Sequence, residues 1–443
     1  MNTITAAASP ALPATPASRV RYLILAMLFL VTAFNYADRA TLSITGSAMQ
    51  KEFGLEASSL GFIFSAFAWA YVAAQIPGGW LLDKFGTRLV YAASIALWSL
   101  FTLLQGIPGF VLGGSAIVTF FVLRAAVGIA EAPSFPGNSR LVTAWFPSAE
   151  RGLASAVFNS AQYFSTVLFA PLMAWIAHSY GWRDVYYVMG ASGLLLALLW
   201  LKVIYEPRRH PRINAAELAH IEGDAAAAAG VPAQVSSIRY LPQLLRNRML
   251  MGIYFGQYFI TTLTYFFLTW FPVYLVQARG MSILKAGFVA ALPAVAGFAG
   301  GILGGWLSDR MIKRGYSLTA ARKTPIVCGM LLSTSIILCN YVDTHTLVIA
   351  VMALAFFGKG VGALGWAVVA DTSPKEVGGL SGALFNTFGN TAGITTPIVI
   401  GFIVQATGSF SWALVFVGAN ALAAIVCYLL VVGEIKRAHI VLN

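Results

Sequence analysis

Apolar runs of about twenty residues, the length a helix needs to cross a bilayer, recur along nearly the whole of this 443-residue chain. In order they lie near 22–44, 59–82, 88–106, 109–132, 152–178 and 184–204, and then near 249–277, 285–307, 323–341, 346–370, 378–405 and 410–432. Backbone polar groups in hydrocarbon must be satisfied internally, so only helices and closed barrels can span. The runs are continuous, not alternating, which excludes a barrel. The expected fold is an all-α integral membrane protein with twelve transmembrane helices in two six-helix bundles. Composition agrees: 58% of residues are hydrophobic and 10% charged, against about 25% charged in soluble domains.

The net charge of +12 invites a nucleic-acid partner, but its distribution argues otherwise. With the spans placed, 21 of the 28 Lys and Arg fall on the side holding both termini. That asymmetry follows the positive-inside rule. It predicts a multi-pass protein of the inner membrane with both termini cytoplasmic, and no nucleic acid. Residues 1–18 lack the basic start and short apolar core of a secretory signal and are expected to be a disordered cytoplasmic tail. The remaining organisation is a bundle over 19–204, a cytoplasmic linker over 205–248, a second bundle over 249–432 and a tail over 433–443. The linker opens on Arg208-Arg209-His210-Pro211 and carries Glu217, Glu222, Asp224 and the alanine run Ala225–Ala229 before Gly230, so a partly helical middle is expected. Cys328, Cys339 and Cys427 lie in apolar runs. No spacing suggests a metal, a cofactor or a disulfide framework.

An internal echo supports two halves. Gly79-Trp80-Leu81-Leu82-Asp83-Lys84 ends the second run and Gly305-Trp306-Leu307-Ser308-Asp309-Arg310 ends the eighth. Each copy puts small residues and an acid–base pair at a cytoplasmic helix end, where the acid can pair with Arg or Lys and bias a gate between the halves. A duplicated transporter is the natural reading. Glycines crowd the eighth and tenth spans, and Pro272, Pro293 and Pro397 fall within spans where they can kink a helix.

Charges inside the apolar runs carry the chemistry. Asp38 and Arg39 sit in the first, Arg124 and Glu131 in the fourth, and Lys359 in the tenth. Each costs about 2.5–3.5 kcal/mol at the centre of a span, so they must face a wet cavity or one another. Arg124 and Glu131 are seven apart, about 700° of rotation, and share a helix face. Asp38 and Arg39 diverge by about 100°, so one can face the cavity and the other a neighbouring helix. Two acids and two guanidiniums are neutral together when the cavity is empty, which lowers their burial cost.

With these features the chain resembles the major facilitator superfamily. The copies Gly79 to Arg88 and Gly305 to Arg310 are similar to its loop signature, which adds Arg88 to Asp83, Lys84, Asp309 and Arg310 as candidate gating residues. Asn35-Tyr36-Ala37-Asp38-Arg39, Arg124 to Pro133, Tyr265 to Tyr274 and Phe356 to Trp366 resemble the anion:cation symporters that import sugar acids, most of all the bacterial glucarate/galactarate permeases. The resemblance covers about residues 20–438. It implies the major facilitator fold and binding of a polyol by Tyr36, Tyr71, Gln162, Asn386 and Trp366.

The residues supply a coupling principle. An incoming carboxylate competes for Arg39, best as a bidentate pair. The acid that loses its guanidinium then takes up a proton. Arg39 is the expected substrate anchor, Asp38 and Glu131 the expected proton carriers, and Arg124 the residue holding Glu131 ionised between cycles. Lys359, on the same face as Trp366, is placed to meet a second carboxylate. Ala363 and Gly365 stand where relatives carrying sugar monoacids are expected to have hydroxyls, which favours a diacid. The expected activity is proton-coupled import of a sugar diacid such as D-glucarate or galactarate by a monomer. The alternatives are a symporter of a monoacid such as galactonate or a hexuronate, and a sugar-acid sensor that does not transport. A phosphate exchanger lacks support, because spans seven and eight carry no Arg between Met249 and Leu275 or between Ala286 and Leu307. An enzyme lacks it too: the five His fall at ends and loops, with no metal spacing and no nucleophile–base pair.

Overall fold

The computed structural model describes residues 17–107, 115–228, 240–374 and 377–439. The expected tail up to residue 16, the start of the fourth run at 109–114, the linker stretch 229–239 with Ala229 and Gly230, and residues 440–443 lie outside the described residues. Described secondary structure is helical throughout, with no strand.

The first half runs α1 (Val20–Phe53), α2 (Ala57–Phe85), α3 (Thr87–Gln105), α4 (Ala116–Trp145), α5 (Ser148–Ser179) and α6 (Trp182–Val203). The second runs α7 (Arg248–Gln277), α8 (Ile283–Lys313), α9 (Leu318–Tyr341), α10 (His345–Thr372), α11 (Gly378–Thr407) and α12 (Ser411–Val431). Between them the linker forms a short 3-10 turn, Pro207–Arg209, and helices Ala215–Ala228 and Leu241–Arg246. Starts are set by side-chain caps the sequence displays. Ser115, Asn247, Ser282 and Ser317 each accept from a backbone N–H three residues on, satisfying a donor that the first turn leaves free. α1 outruns its apolar stretch by nine residues and stops at Gly54, whose φ of 63° suits glycine.

Eleven of these helices are long and apolar enough to cross a membrane. The exception is α5, expected as an apolar run over 152–178. It has 32 residues, but Asn159, Ser160, Gln162, Ser165 and Thr166 interrupt its apolar sequence.

Three helices break near their middles. α4 turns at Ala132–Pro133 just after Glu131, and α10 interrupts between Val361 and Gly365 just after Lys359. α7 widens into a π-helical turn at Phe266–Trp270 ahead of Pro272, where the missing proline N–H cannot continue the ladder. Such irregular turns mark functional positions in membrane helices, because the freed backbone groups must face protein or water.

Within the first half α2 packs on α4, α3 on α6, and α1 on α5; within the second, α8 packs on α10, α7 on α11, and α9 on α10. The halves meet through α2 with α11, α5 with α8, and α1 with α7. The start of α1 is bonded to the linker by Ser18 and Asn214, and Ala438 donates to the Thr372 carbonyl. Both described chain ends therefore sit at one end of the molecule, the terminal end.

Contact between the halves is concentrated at the far end. A Cβ on Gly61 of α2 would lie 2.5 Å from the Pro397 carbonyl oxygen of α11, and one on Gly287 of α8 would collide with Ala174 of α5. Gln277 bonds Gln50 at 2.6 Å and Gln405 bonds Glu56 at 2.6 Å there. At the terminal end of the same helix pairs, Gly79, Gly152, Gly305 and Gly378 have no described atom within 4 Å of where a Cβ would sit. The halves are joined at the far end and apart at the terminal end.

Candidate functional site

The central charges lie together in the first half. Arg39 donates from Nε to Glu131 Oε2 at 2.9 Å, joining α1 to α4. Its guanidinium is sandwiched by aromatic rings: Phe67 at 4.5 Å, Tyr71 at 4.9 Å and Tyr36 at 5.0 Å. Cation–π contacts of this kind strengthen in a desolvated setting. Glu131 is 0% exposed and Arg39 8%. Each leaves one polar atom without a partner, Glu131 Oε1 and Arg39 Nη2.

Asp38 points elsewhere, as the 100° divergence requires. Its Oδ2 accepts from the Thr102 hydroxyl of α3 at 2.8 Å, while Oδ1 has no partner. Arg124, expected to hold Glu131 ionised, makes no hydrogen bond with it, though its charge acts on Glu131 through space. Arg124 donates to the backbone carbonyls of Asp38 at 3.0 Å and Arg39 at 2.5 Å, so it pins the α1 backbone.

A cavity lies between α1, α5, α7, α8 and α10. Its polar lining is Tyr36, Ser43, Gln162, Tyr163, Thr166, Thr264 and Lys359; Phe267, Phe271, Pro272 and Phe356 supply apolar wall. Tyr36 is shared, with one face toward the cavity and the Arg39 guanidinium over its ring. Lys359 is 8% exposed. Its ammonium has no hydrogen bond or ion pair among the described residues, and its marked neighbour is the Phe356 ring at 5.3 Å. The π turn in α7 borders this cavity through Phe267 and Leu268.

Of the predicted polyol binders, Tyr36 and Gln162 line the cavity; Tyr71, Trp366 and Asn386 do not. Tyr71 is buried against Phe67 and Arg39. Trp366 lies beyond the α10 break, 59% exposed, with its edge on Phe385. Asn386 accepts from Asn390 at 3.1 Å, and Asn390 in turn accepts from the Tyr265 hydroxyl at 3.0 Å. That amide chain ties α11 to α7.

The duplicated loop residues pair inside their own halves. Asp83 pairs with Arg140 of α4, and Asp309 lies 3.8 Å from Arg322, which also bonds Asp371 at 2.8 Å and Ser308 at 2.9 Å. Lys84 sits over Trp80 and Arg310 over Trp306, at 4.8 Å and 4.9 Å. Arg88 donates to the Leu201 carbonyl at 2.5 Å and covers Tyr205.

Sequence reasoning missed Thr102 and Ser43. Ser99, Thr102 and Gln105 form a polar series within an apolar run of α3, a signal that was there to find. Ser43, one turn after Arg39, donates to the Thr269 carbonyl in the π turn at 2.8 Å; Pro272 marked this span for a kink but not for that bond.

Comparisons with known proteins agree with this architecture. Residues 28–321 match the family described as the Major Facilitator Superfamily. A protein of Bacillus subtilis (strain 168) named "Probable galactarate/D-glucarate transporter GudP" is 64% identical over 430 residues, covering 96% of this chain and 94% of the relative. A protein of the same name from Escherichia coli (strain K12) is 58% identical over 431 residues, covering 96% of each. Among solved structures, a bacterial homolog of the human lysosomal transporter Spinster, in an inward-facing and occupied conformation, superposes with a TM-score of 0.74 at 17% identity. That match covers 94% of this chain and 97% of the other.

Proposed function

The chain belongs to the Major Facilitator Superfamily, and from that premise we propose that it imports sugar diacids, galactarate and D-glucarate among them, together with protons by alternating access. On this reading all twelve helices cross a bacterial inner membrane as two six-helix bundles, residues 19–204 and 249–432, with linker and termini in the cytoplasm. Gln162 and Thr166 of α5 then face the cavity instead of lipid. The transporting unit is a monomer on this reading, and the activity is carriage of a solute, not catalysis.

The observation that carries the reading is Lys359: a buried ammonium lining a cavity without an anion of its own. An uncompensated buried charge is costly, and the second carboxylate of a diacid supplies the missing partner. The names of the relatives fit a diacid of this kind.

The cycle follows from the pairings. One carboxylate of the substrate engages the Arg39 guanidinium, which lies behind Tyr36 and off the cavity lining in this conformation, and draws it off Glu131. The other meets Lys359, and Tyr36 and Gln162 bond hydroxyls. Tyr71 backs the guanidinium, while Asn386 and Trp366, which stand off the cavity in this conformation, reach the substrate only after the halves rearrange. Glu131, without its partner in a low-dielectric setting, takes up a proton, and Asp38 carries a second. Arg124 keeps the α1 backbone in register while its neighbours exchange partners. A dianion entering against a negative-inside potential is opposed by about 2.3 kcal/mol per charge per 100 mV, so more than one proton per dianion is needed for net accumulation. Asp83, Lys84, Arg88, Asp309 and Arg310 stabilise each half at the terminal end as the halves rock. Uptake of labelled galactarate, D-glucarate and galactonate into proteoliposomes under an imposed pH gradient tests the reading. Diacid accumulation that vanishes with the gradient is expected; gradient-independent uptake, or a preference for galactonate, contradicts it.

A further inference from the structure

Ser43 stands where the cavity meets the contact between the halves. It follows Tyr36 and Ala40 along the cavity-lining stripe of α1, as helical spacing requires. It is buried, and its hydroxyl donates at 2.8 Å to the carbonyl of Thr269, which lies between the lining residues Leu268 and Phe271 of α7. Thr41 and Thr45, on the same helix, bond back to the α1 carbonyls of Asp38 and Thr41 at 2.7 Å and 2.9 Å, the usual recourse of a hydroxyl within a helix. Ser43 instead reaches across to the other half, and the Arg39 carbonyl one turn before it is taken by Arg124.

Just beyond this bond the far end is shut. A Cβ on Gly46 would meet Leu60 and Val273 at 3.5 Å, and Phe64 of α2 packs on Trp270 of α7 at 5.4 Å. Two other bonds between the halves, Gln277 to Gln50 and Gln405 to Glu56, are exposed, whereas the one made by Ser43 is buried at the cavity wall.

We propose that Ser43 recognises a hydroxyl of the substrate and couples its presence to closure of the far end, so that a sugar diacid is told from a plain dicarboxylate. This rests on the sugar-diacid reading above. A hydroxyl holds one donor and two acceptor lone pairs. With its donor committed to Thr269, Ser43 offers the cavity acceptors alone. A carboxylate oxygen gains nothing there, but an alcohol O–H can donate. The chain from substrate hydroxyl through Ser43 to the Thr269 carbonyl is polarised along its length, and each bond strengthens the other. When the halves part at the far end the carbonyl withdraws and that gain is lost. A bound hydroxyl therefore favours the closed far end, and closure favours a hydroxylated substrate to the same degree.

The test uses Ser58→Cys as a reporter. Ser58 is buried at the start of α2, where a Cβ on Gly401 of α11 would come within 3.1 Å of its Cα, so a thiol there is reached only when the far end opens. Labelling by a membrane-impermeant maleimide is followed in right-side-out membrane vesicles, with the parent chain giving the background from exposed Cys328. Saturating galactarate is expected to slow labelling about fivefold, the factor that one neutral hydrogen bond supplies. Adipate, the six-carbon diacid without hydroxyls, should not slow it. In Ser43→Ala, labelling without substrate should be faster and galactarate should no longer slow it, while Ser43→Thr keeps the hydroxyl and the slowing. The adipate comparison needs no change at position 43 and decides alone if the alanine variant fails to fold. Galactarate that accumulates in the vesicles without slowing the label, equal slowing by adipate, or full slowing in Ser43→Ala overturns the inference and leaves diacid import standing. Galactarate that neither slows labelling nor accumulates overturns both.

Discussion

The two halves of the molecule face one cavity but carry charge in opposite ways. In the first half the charges of Asp38, Arg39, Arg124 and Glu131 sum to zero: Arg39 pairs with Glu131 at 2.9 Å, Arg124 bonds α1 backbone carbonyls, and Asp38 accepts from Thr102. In the second half a single buried cation, Lys359, lines the cavity, and its polar surroundings are neutral, as in the chain from Tyr265 through Asn390 to Asn386. A neutral cluster can exchange partners without a large change in buried charge, whereas a lone cation draws an anion. On the proposed reading, coupling belongs to the first half and selection of a doubly charged substrate to the second.

The sharpest way to break this division is Arg39→Ala. It removes the anchor and leaves Glu131 buried and unpaired, a loss of about 3–5 kcal/mol for a broken buried pair; initial galactarate uptake in proteoliposomes should fall at least a hundredfold. Glu131→Gln comes next. It should abolish accumulation against a gradient while preserving galactarate exchange, measured in the same vesicles. Lys359→Met should reduce galactarate uptake about tenfold more than galactonate uptake, because only the dianion loses a charged hydrogen bond of about 1.5–3 kcal/mol. Equal reductions would take selection away from the second half. At the far end, Gln405→Ala loses an exposed bond to Glu56, so it should change uptake by only about twofold, with increased labelling of a cysteine placed beside Gly401.

The smallest effect concerns the first part of the linker, which is fastened to the start of α1. Glu217 accepts from the Ser18 hydroxyl at 2.6 Å and from the Val20 and Arg21 N–H groups at 3.0 Å and 3.1 Å. Burial pushes its carboxyl up, but these donors and the Arg21 charge outweigh it, leaving the group below the ordinary glutamate range. A lowered folded-state value means the clasp contributes above the ordinary range and is lost as pH falls through the lowered value. Limited proteolysis of the linker should accordingly rise only in strong acid, and Glu217→Gln should show that susceptibility already at neutral pH.

Much of this was legible beforehand because hydrocarbon admits so few solutions. Apolar runs set the helices, Ser and Asn set their starts, and the rarity of charge in spans singled out Asp38, Arg39, Arg124, Glu131 and Lys359. Helix rotation separated Asp38 from Arg39 but could not say which acid Arg39 would reach, since that depends on how α1 and α4 are set side by side. Hence Arg124 was assigned to Glu131 when it bonds carbonyls. The polarity of α5 was hidden by its length. The π turn of α7 arises from packing around Pro272, and so Ser43 and Thr269 escaped notice.

The central claim is that an anion takes a guanidinium from a buried acid, which then binds a proton. Adding galactarate to purified protein in weakly buffered detergent with a pH-reporting dye measures this directly. The account predicts proton uptake on binding, rendering the solution more alkaline, and its loss in Glu131→Gln. Saturable galactarate binding with no proton taken up by the wild-type protein would contradict it.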